Sequence, residues 1–470
     1  MKTYKLYAGG KFLASKKALE VSSPFNGSLV AKTYQADKAI LNTAIEKALS
    51  VQDALKALSS LQKFEILSQI SQELNANKKY LAEVLAMESG KPLKYALAEI
   101  DRSAQTFLVA AEECKRLPKE YMSLDWTANG AGKEGIINYF PVGLVAGIAP
   151  FNFPMNLAVH KLAPAIATGC PIILKPASST PLSCLELAKI IDRTALPKGA
   201  VSILPMDRET GNLLVTDERF KLLSFTGSPD VGWKMKSQAG KKKVILELGG
   251  NAATIVTETA ILNDVLPKAL MGAFSYSGQI CIHAQRFIVH ESHIKAFTKA
   301  LKAATLSLKY GNPANSNTEI SHMIDEENAI RVEQWIGEAL KQGAKLVCGG
   351  KRKGSYVEPT ILSHCNASMK VYAEEVFGPV ICINSYQTID EAIALANDTR
   401  FGLQCGVFTD SITELDHCFR RIDVGGIIHN HVPTLRFDQM PYGGIKDSGL
   451  GREGVRYAIM DMLEPKVLVK

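Results

Sequence analysis

Between residues 38 and 115 apolar side chains recur at intervals of three and four, as in Leu55, Leu58 and Leu61 and then Ile66, Leu67, Ile70 and Leu74. That period predicts helices with one buried face. Ser89-Gly-Lys-Pro92 breaks the run, because glycine and proline end helices, before a second helix through Ala96 and Phe107. The pattern then changes to short apolar runs separated by helical stretches. Strands are expected at Val142 to Ile148, Pro171 to Lys175, Val201 to Leu204 and Leu222 to Phe225, with helices from about Asn156 to Ala167 and from about Ser183. Strands alternating with helices at this spacing predict a parallel, doubly wound α/β sheet. After Glu247 the alternation repeats, with strands expected at Ala253 to Val256, Arg286 to Val289, Val380 to Tyr386 and Gly426 to Asn430. A second α/β domain therefore follows the first.

The length of 470 residues agrees, being too great for one hydrophobic core. A composition of 46% hydrophobic and 21% charged residues is that of an ordinary soluble chain, and the formal net charge of +7 is spread thinly. The densest basic run, Lys241-Lys-Lys243, leads into a strand-like segment and reads as a solvated strand entry, which argues against a nucleic-acid partner. From Gly135 to Val159 no residue is charged, a stretch long enough to span a bilayer. Pro141, Pro150 and Pro154 rule out a continuous helix there, so no membrane segment is expected. Nine cysteines without a Cys-x-x-Cys pair, and a first segment without the apolar core of a secretory leader, point to the reducing cytoplasm. His429-Asn-His431 is the tightest histidine pair and has no thiolates beside it, so no metal is expected.

One cysteine stands apart. Cys281 follows Ser277, Gly278 and Gln279, small or polar residues that leave a thiolate open to approach, while the other eight read as small buried hydrophobes. Upstream lies Glu247-Leu-Gly-Gly-Asn251, a carboxylate beside two glycines that let another backbone come close, suited to general base work. Ser224-Phe-Thr-Gly227-Ser228-Pro229 closes a strand and opens a helix, with Ser228 as N-cap, Pro229 in the first turn and Gly227 allowing a ligand near the backbone. Free amides at such a helix start bind phosphate, although the Gly-x-Gly-x-x-Gly fingerprint is absent.

These segments resemble the aldehyde dehydrogenase superfamily. Ala149-Pro-Phe-Asn152-Phe-Pro154, Lys175-Pro-Ala-Ser178, Phe225-Thr-Gly-Ser228, Glu374-Glu375-Val-Phe377-Gly-Pro379 and Met440-Pro-Tyr-Gly-Gly-Ile-Lys446 match its motifs in order, over almost the whole chain. The resemblance implies a Rossmann-type cofactor domain (residues 1–122 and 140–246) and an α/β catalytic domain (247–440). It also implies a small β flap (123–139 and 441–470) joining a homodimer or homotetramer. Cys281 is then the nucleophile, Asn152 the oxyanion donor with the Cys281 amide, Glu247 the base that activates water, and Lys161 and Asn430 residues near them. Lys175, Ser178, Phe151, Gly227, Ser228, Glu375 and Phe377 would hold NADP or NAD. Many relatives carry glutamate where Ser178 stands, and that carboxylate repels a 2′-phosphate, so NADP is favoured over NAD.

The same resemblance places Arg102, His160 and Arg436 near the substrate tunnel, where arginines grip anionic tails. Phosphate-binding branches put another arginine just before the nucleophile, and here that residue is Ile280. A small polar or singly anionic aldehyde is expected, with lactaldehyde, succinate semialdehyde and glyceraldehyde 3-phosphate all within reach. Two other readings stay open: a CoA-acylating semialdehyde dehydrogenase, disfavoured by Glu247, and a non-catalytic binding or structural protein on the same scaffold.

Overall fold

The computed structural model describes residues 2–470. Two large sheets organise it. The first has eight strands, ordered Lys11–Leu13, Leu6–Ala8, Val201–Ile203, Ile172–Lys175, Val145–Ile148, Leu222–Thr226, Lys243–Glu247 and Gly449–Leu450. Its five inner strands, from Val201–Ile203 to Lys243–Glu247, run parallel, and both edges are closed by antiparallel pairings. The second sheet has seven strands: Lys345–Cys348, Thr360–Ser363, Val380–Tyr386, Ala284–His290, Ala252–Val256, Gln404–Phe408 and Gly426–His429. All are parallel except the first, which pairs antiparallel at the edge. The α/β architecture expected from the alternating pattern is present twice.

The helical stretch after residue 38 divides into Lys38–Ser50, Gln52–Ala57, Ser60–Ala76, Lys78–Ser89 and Leu93–Glu113. Ile66, Leu67, Ile70 and Leu74 are fully buried, as their spacing predicts. Leu58 and Leu61 are not core positions. Leu58 caps one helix in an extended conformation, and Ser59 opens the next through a capping box with Gln62, so the helical phase restarts and Leu61 points outward. Gly90 ends Lys78–Ser89 in the left-handed region, as the Ser89-Gly break implies.

A three-stranded antiparallel sheet combines Lys119–Ser123, Glu134–Pro141 and Leu463–Val469. Residues 441–462 lie outside it: Gly449–Leu450 borders the eight-stranded sheet, and the helix Val455–Asp461 packs on the helices Leu93–Glu113 and Pro154–Thr168. No helix among the described residues is long and apolar enough to cross a membrane. The charge-free stretch from Gly135 becomes two strands, a turn and the start of the helix Pro154–Thr168, every residue of which is buried.

Burying that helix leaves its first N–H groups without water, and another element supplies the acceptor. Glu99 Oε1 accepts from the amides of Met155 and Asn156 at 3.0 and 3.1 Å, while its other oxygen pairs with the buried Lys91. Glu88 does the same for the helix Leu182–Asp192, accepting from Leu182 and Ser183 at 2.6 and 2.9 Å. Each carboxylate sits at the positive end of a helix dipole, and Lys91 offsets the charge of Glu99. Glu99→Ala would strand Lys91 and two amides in the interior. It should cost about 3–5 kcal/mol, read as a fall in the urea midpoint, and an unchanged midpoint would show that neither group needs this carboxylate.

Candidate active site

The helix Leu262–Phe274 ends in a turn with three successive left-handed residues, Tyr276, Ser277 and Gly278 (φ 48°, 53° and 69°). This conformation is costly for Tyr276 and Ser277. It is held by the Tyr276 hydroxyl donating to Ser89 O at 3.0 Å and the Ser277 hydroxyl donating to Ser321 O at 2.7 Å. A Cβ at Gly278 would run into the Gly378 carbonyl, so only glycine fits. The turn delivers Cys281, the one cysteine of the nine that keeps partial exposure. The reason differs from the expected one: Ser277, Gly278 and Gln279 are buried, and their polar groups bind the frame of the loop.

Glu247 ends its strand and reaches the same place from the other sheet. A Cβ at Gly250 would strike the Cys281 carbonyl oxygen, so that glycine is needed for the approach, and one at Gly249 would push the Glu375 carboxylate from its place. Cys281 Sγ lies 3.1 Å from Tyr442 Oη, and burial pushes its thiol up to about 11. Glu247 Oε1 accepts from the Glu453 amide at 3.3 Å and its buried Oε2 has no partner. Burial and the neighbouring Glu453 charge raise its pKa well above the carboxylate range, so it holds a proton more tightly than an exposed carboxyl. Asn152 Nδ2 donates to Gln279 O at 3.0 Å, which leaves its second N–H free. Lys161 is fully buried, donating to Thr226 Oγ1 at 2.7 Å and Glu453 Oε1 at 3.3 Å. Asn430 is elsewhere: its side chain accepts from the Thr409 amide at the opposite end of the strand Gln404–Phe408.

On one side of Cys281 opens a cavity of about 340 Å³, lined by Phe151, Asn152, Gly227, Ser228, Glu375 and Phe377. Phe377 adopts a left-handed φ of 45°, and its ring meets Phe151 edge to face at 5.8 Å. Glu375 Oε1 accepts from Gly250 N at 2.9 Å, and burial raises its carboxyl to about 7. Ser228 is the N-cap residue of the helix Pro229–Gln238 but its side chain makes no cap bond. The Gly227 amide is taken by Glu247 O at 3.0 Å, so it is not a free phosphate donor. Lys175 ends its strand with its stem against Gly211, and burial lowers its pKa, opposed by the Asp207 charge and aided by Arg208. Ser178 is half-buried in the turn that follows.

On the other side lies a polar cluster. Arg436 stacks over the Tyr442 ring at 3.7 Å and donates to Glu453 Oε2 at 2.9 Å. Arg102 donates to Asp438 Oδ1 at 2.7 Å, and His160 Nε2 approaches the same oxygen at 2.9 Å. The three residues converge as expected, yet they are not free cations. Burial and the Arg436 charge lower the His160 pKa, and its Nε2 lies between Asp438 Oδ1 at 2.9 Å and an Arg436 guanidinium nitrogen at 3.1 Å. Asp438 serves Arg102 and His160; Arg436 Nε stands 4.0 Å from it, and the main partner of Arg436 is Glu453.

Glu453, Asp438 and Tyr442 were not singled out as site residues. Glu453 had a signal, since it stands between glycines in Gly451-Arg-Glu453-Gly454 as Glu247 stands beside Gly249. Arg331, which also lines the cavity and donates to Val376 O at 2.9 Å, had none, because its helix Glu326–Lys341 reads as an ordinary amphipathic one.

The family model described as "Aldehyde dehydrogenase family" matches residues 12–468. The chain is 40% identical over 471 aligned positions to a 3-sulfolactaldehyde dehydrogenase of Priestia aryabhattai, covering 100% of this chain and 98% of the relative. Among solved structures, aldehyde dehydrogenase 21 from Physcomitrella patens, in complex with the reaction product succinate, is 43% identical. Its TM-score is 0.98, with 100% of this chain and 98% of that one covered. A glyceraldehyde-3-phosphate dehydrogenase from Methanocaldococcus jannaschii complexed with NADP is 35% identical with a TM-score of 0.93, covering 97% and 99%.

Proposed function

Since the chain belongs to the aldehyde dehydrogenase family and uses NADP or NAD, we propose that it oxidises a small, singly acidic aldehyde to the carboxylic acid, with hydrolytic release. The observation that carries this reading is the position of Cys281 between the cavity and the polar cluster. The cavity fits the cofactor: Gly249 leaves room for the Glu375 carboxylate, and the half-exposed Glu375 and Phe377 face the open space. Glu375 would hold the nicotinamide ribose, and the bound cofactor supplies the hydride acceptor.

Cys281 as thiolate adds to the aldehyde carbon, and the oxyanion is met by the Cys281 amide and the free N–H of Asn152. Loss of hydride leaves a thioester on Sγ. Glu247 must shed its proton before it can take one from water, and its unpartnered Oε2 is the oxygen available to do so. A carboxylate placed to activate water favours hydrolysis over transfer to CoA.

The substrate class rests on charge. Arg102, Arg436 and Lys161 are opposed by Asp438 and Glu453, with His160 and Glu247 neutral, so the cluster has one positive charge to spare. One carboxylate or sulfonate balances it; a phosphate dianion exceeds it, and Ile280 adds no further cation. The relative named for 3-sulfolactaldehyde and the neighbour holding succinate both concern molecules with an acidic tail. NADP is preferred because Ser178 brings no carboxylate to the turn after Lys175. The nine free thiols suit the cytoplasm, and the exposed Tyr121, Trp126, Val467 and Leu468 around the three-stranded sheet suit a homodimer or homotetramer joined there.

Glu247→Gln should give a single burst of reduced cofactor followed by slow turnover, because the thioester forms but no base activates water. An unchanged steady-state rate would remove Glu247 from that role. Ser178→Glu should move the ratio of kcat/KM values for NADP and NAD about tenfold to a hundredfold towards NAD, through like-charge repulsion at the ribose. A panel of short aldehydes tests the substrate class: wild type should favour those with one carboxylate or sulfonate over neutral or phosphorylated ones. Arg102→Ala should raise KM for the acidic substrate about tenfold or more and leave propanal nearly unchanged, since Asp438 would then repel the tail. A preference for long apolar aldehydes would end the reading of the cluster as an anion site.

A further inference from the structure

We infer that the Tyr442 hydroxyl is the hydrogen-bond donor that stabilises the Cys281 thiolate and aims its Sγ, taking the place of the histidine that many cysteine nucleophiles lean on. The inference rests on the reading of Cys281 as nucleophile and deepens it.

Sγ has one hydrogen-bond partner among the described residues, and it is Tyr442 Oη at 3.1 Å. The converse carries more weight. Tyr442 is buried in a small apolar cluster with Tyr276, Ile280, Ile282 and Leu403, and Sγ is the only partner its hydroxyl has there. Buried hydroxyls need a real partner, and a neutral thiol is a poor one. A thiolate accepts a short charge-assisted bond, so the phenol is properly satisfied only when Cys281 is ionised. Burial also keeps the phenol protonated, which fixes it as donor rather than base. Phenylalanine would fill the same space; the extra oxygen has no structural use apart from Sγ.

The ring is held on two sides. Its backbone exchanges both hydrogen bonds with Glu453, Tyr442 N donating to Glu453 O and Glu453 N to Tyr442 O. The Arg436 guanidinium sits over its face at 3.7 Å, which polarises the O–H towards donation. The other charges around Sγ do not substitute for it. Glu375 opposes ionisation, as Glu247 does once it has lost its proton, Arg436 favours it across the ring, and the remaining groups face these in turn: Glu453, Asp438 and His160 about Arg436, Lys161 at Glu453, and Arg331 towards Glu375. Of the nearby imidazoles, His160 is spent on Asp438 and His283 turns its Nε2 to the Ala273 carbonyl at 2.7 Å.

The test is alkylation of Cys281 by iodoacetamide in the full-length protein, followed by peptide mapping across neutral to alkaline pH. In Tyr442→Phe the midpoint should move up by about one unit, so that modification at neutral pH slows about tenfold. Turnover should fall by a similar factor while KM for the aldehyde stays within about twofold, a split that loss of packing would not give. Unchanged cofactor affinity shows that the variant is folded. Superimposed pH profiles, or a raised KM with an unmoved profile, would overturn the assignment. Turnover retained in Cys281→Ala would instead remove the nucleophile itself, whereas loss of turnover there with superimposed profiles removes only the role of Tyr442.

Discussion

Glu453 is a buried carboxylate that stays ionised, and the geometry of the site hangs on it. Burial works against its charge, and Lys161 and Arg436 together outweigh that effect and hold its pKa low. The two cations come from different places, one from the buried helix Pro154–Thr168 and one from the segment before the strand Ile445–Lys446. A buried anion with a single partner would be expensive; with two it locks both in place. The same residue, through its backbone, holds Tyr442 and donates to Glu247. Nucleophile, carboxylate and polar cluster therefore share one anchor.

That anchor also sets protonation. The negative charge on Glu453 adds to burial in keeping the proton on Glu247, and two carboxylates this close cannot both ionise cheaply. Their environments drive the pair apart, one low and one high. The arrangement leaves the site one net positive charge with Glu247 neutral, and it leaves Cys281 mostly as thiol until something favours the anion. A reactive cysteine kept this way is protected from adventitious chemistry, at the cost of needing local help to ionise.

Precision comes from the interface between the two sheets rather than from either alone. Gly249 and Gly250 bring the end of one sheet against the Cys281 carbonyl and Glu375 of the other, where no Cβ would fit. Asn152 bridges the same gap by donating to Gln279. Behind these contacts, Glu88 and Glu99 terminate two buried helices that could not otherwise begin without orphaned amides. The strained turn at Tyr276 and Ser277 is affordable because Ser89 and Ser321 receive its hydroxyls.

Much of this was legible in the chain. Period and spacing are local properties, so the alternating elements and most inner strands were visible, and Cys281 and Glu247 stood out by their neighbours. The strand Gln404–Phe408 was not, because Gln404, Cys405 and Gly406 have no strand pattern of their own and become a strand only between two parallel neighbours. Leu58 and Leu61 continued the helical spacing in sequence, but a capping box reset the phase. Ser277 and Gln279 looked open and are buried, since polarity alone does not tell a solvated side chain from one bonded inside. Arg102, His160 and Arg436 could be placed near one another, yet their charge state could not, because it depends on Asp438 and Glu453 arriving from elsewhere in the fold. The chain by itself determined which residues could do the chemistry. Only the tertiary structure decided which of them are charged, because ionisation in a buried site is set by distance and desolvation, and neither is a property of sequence order.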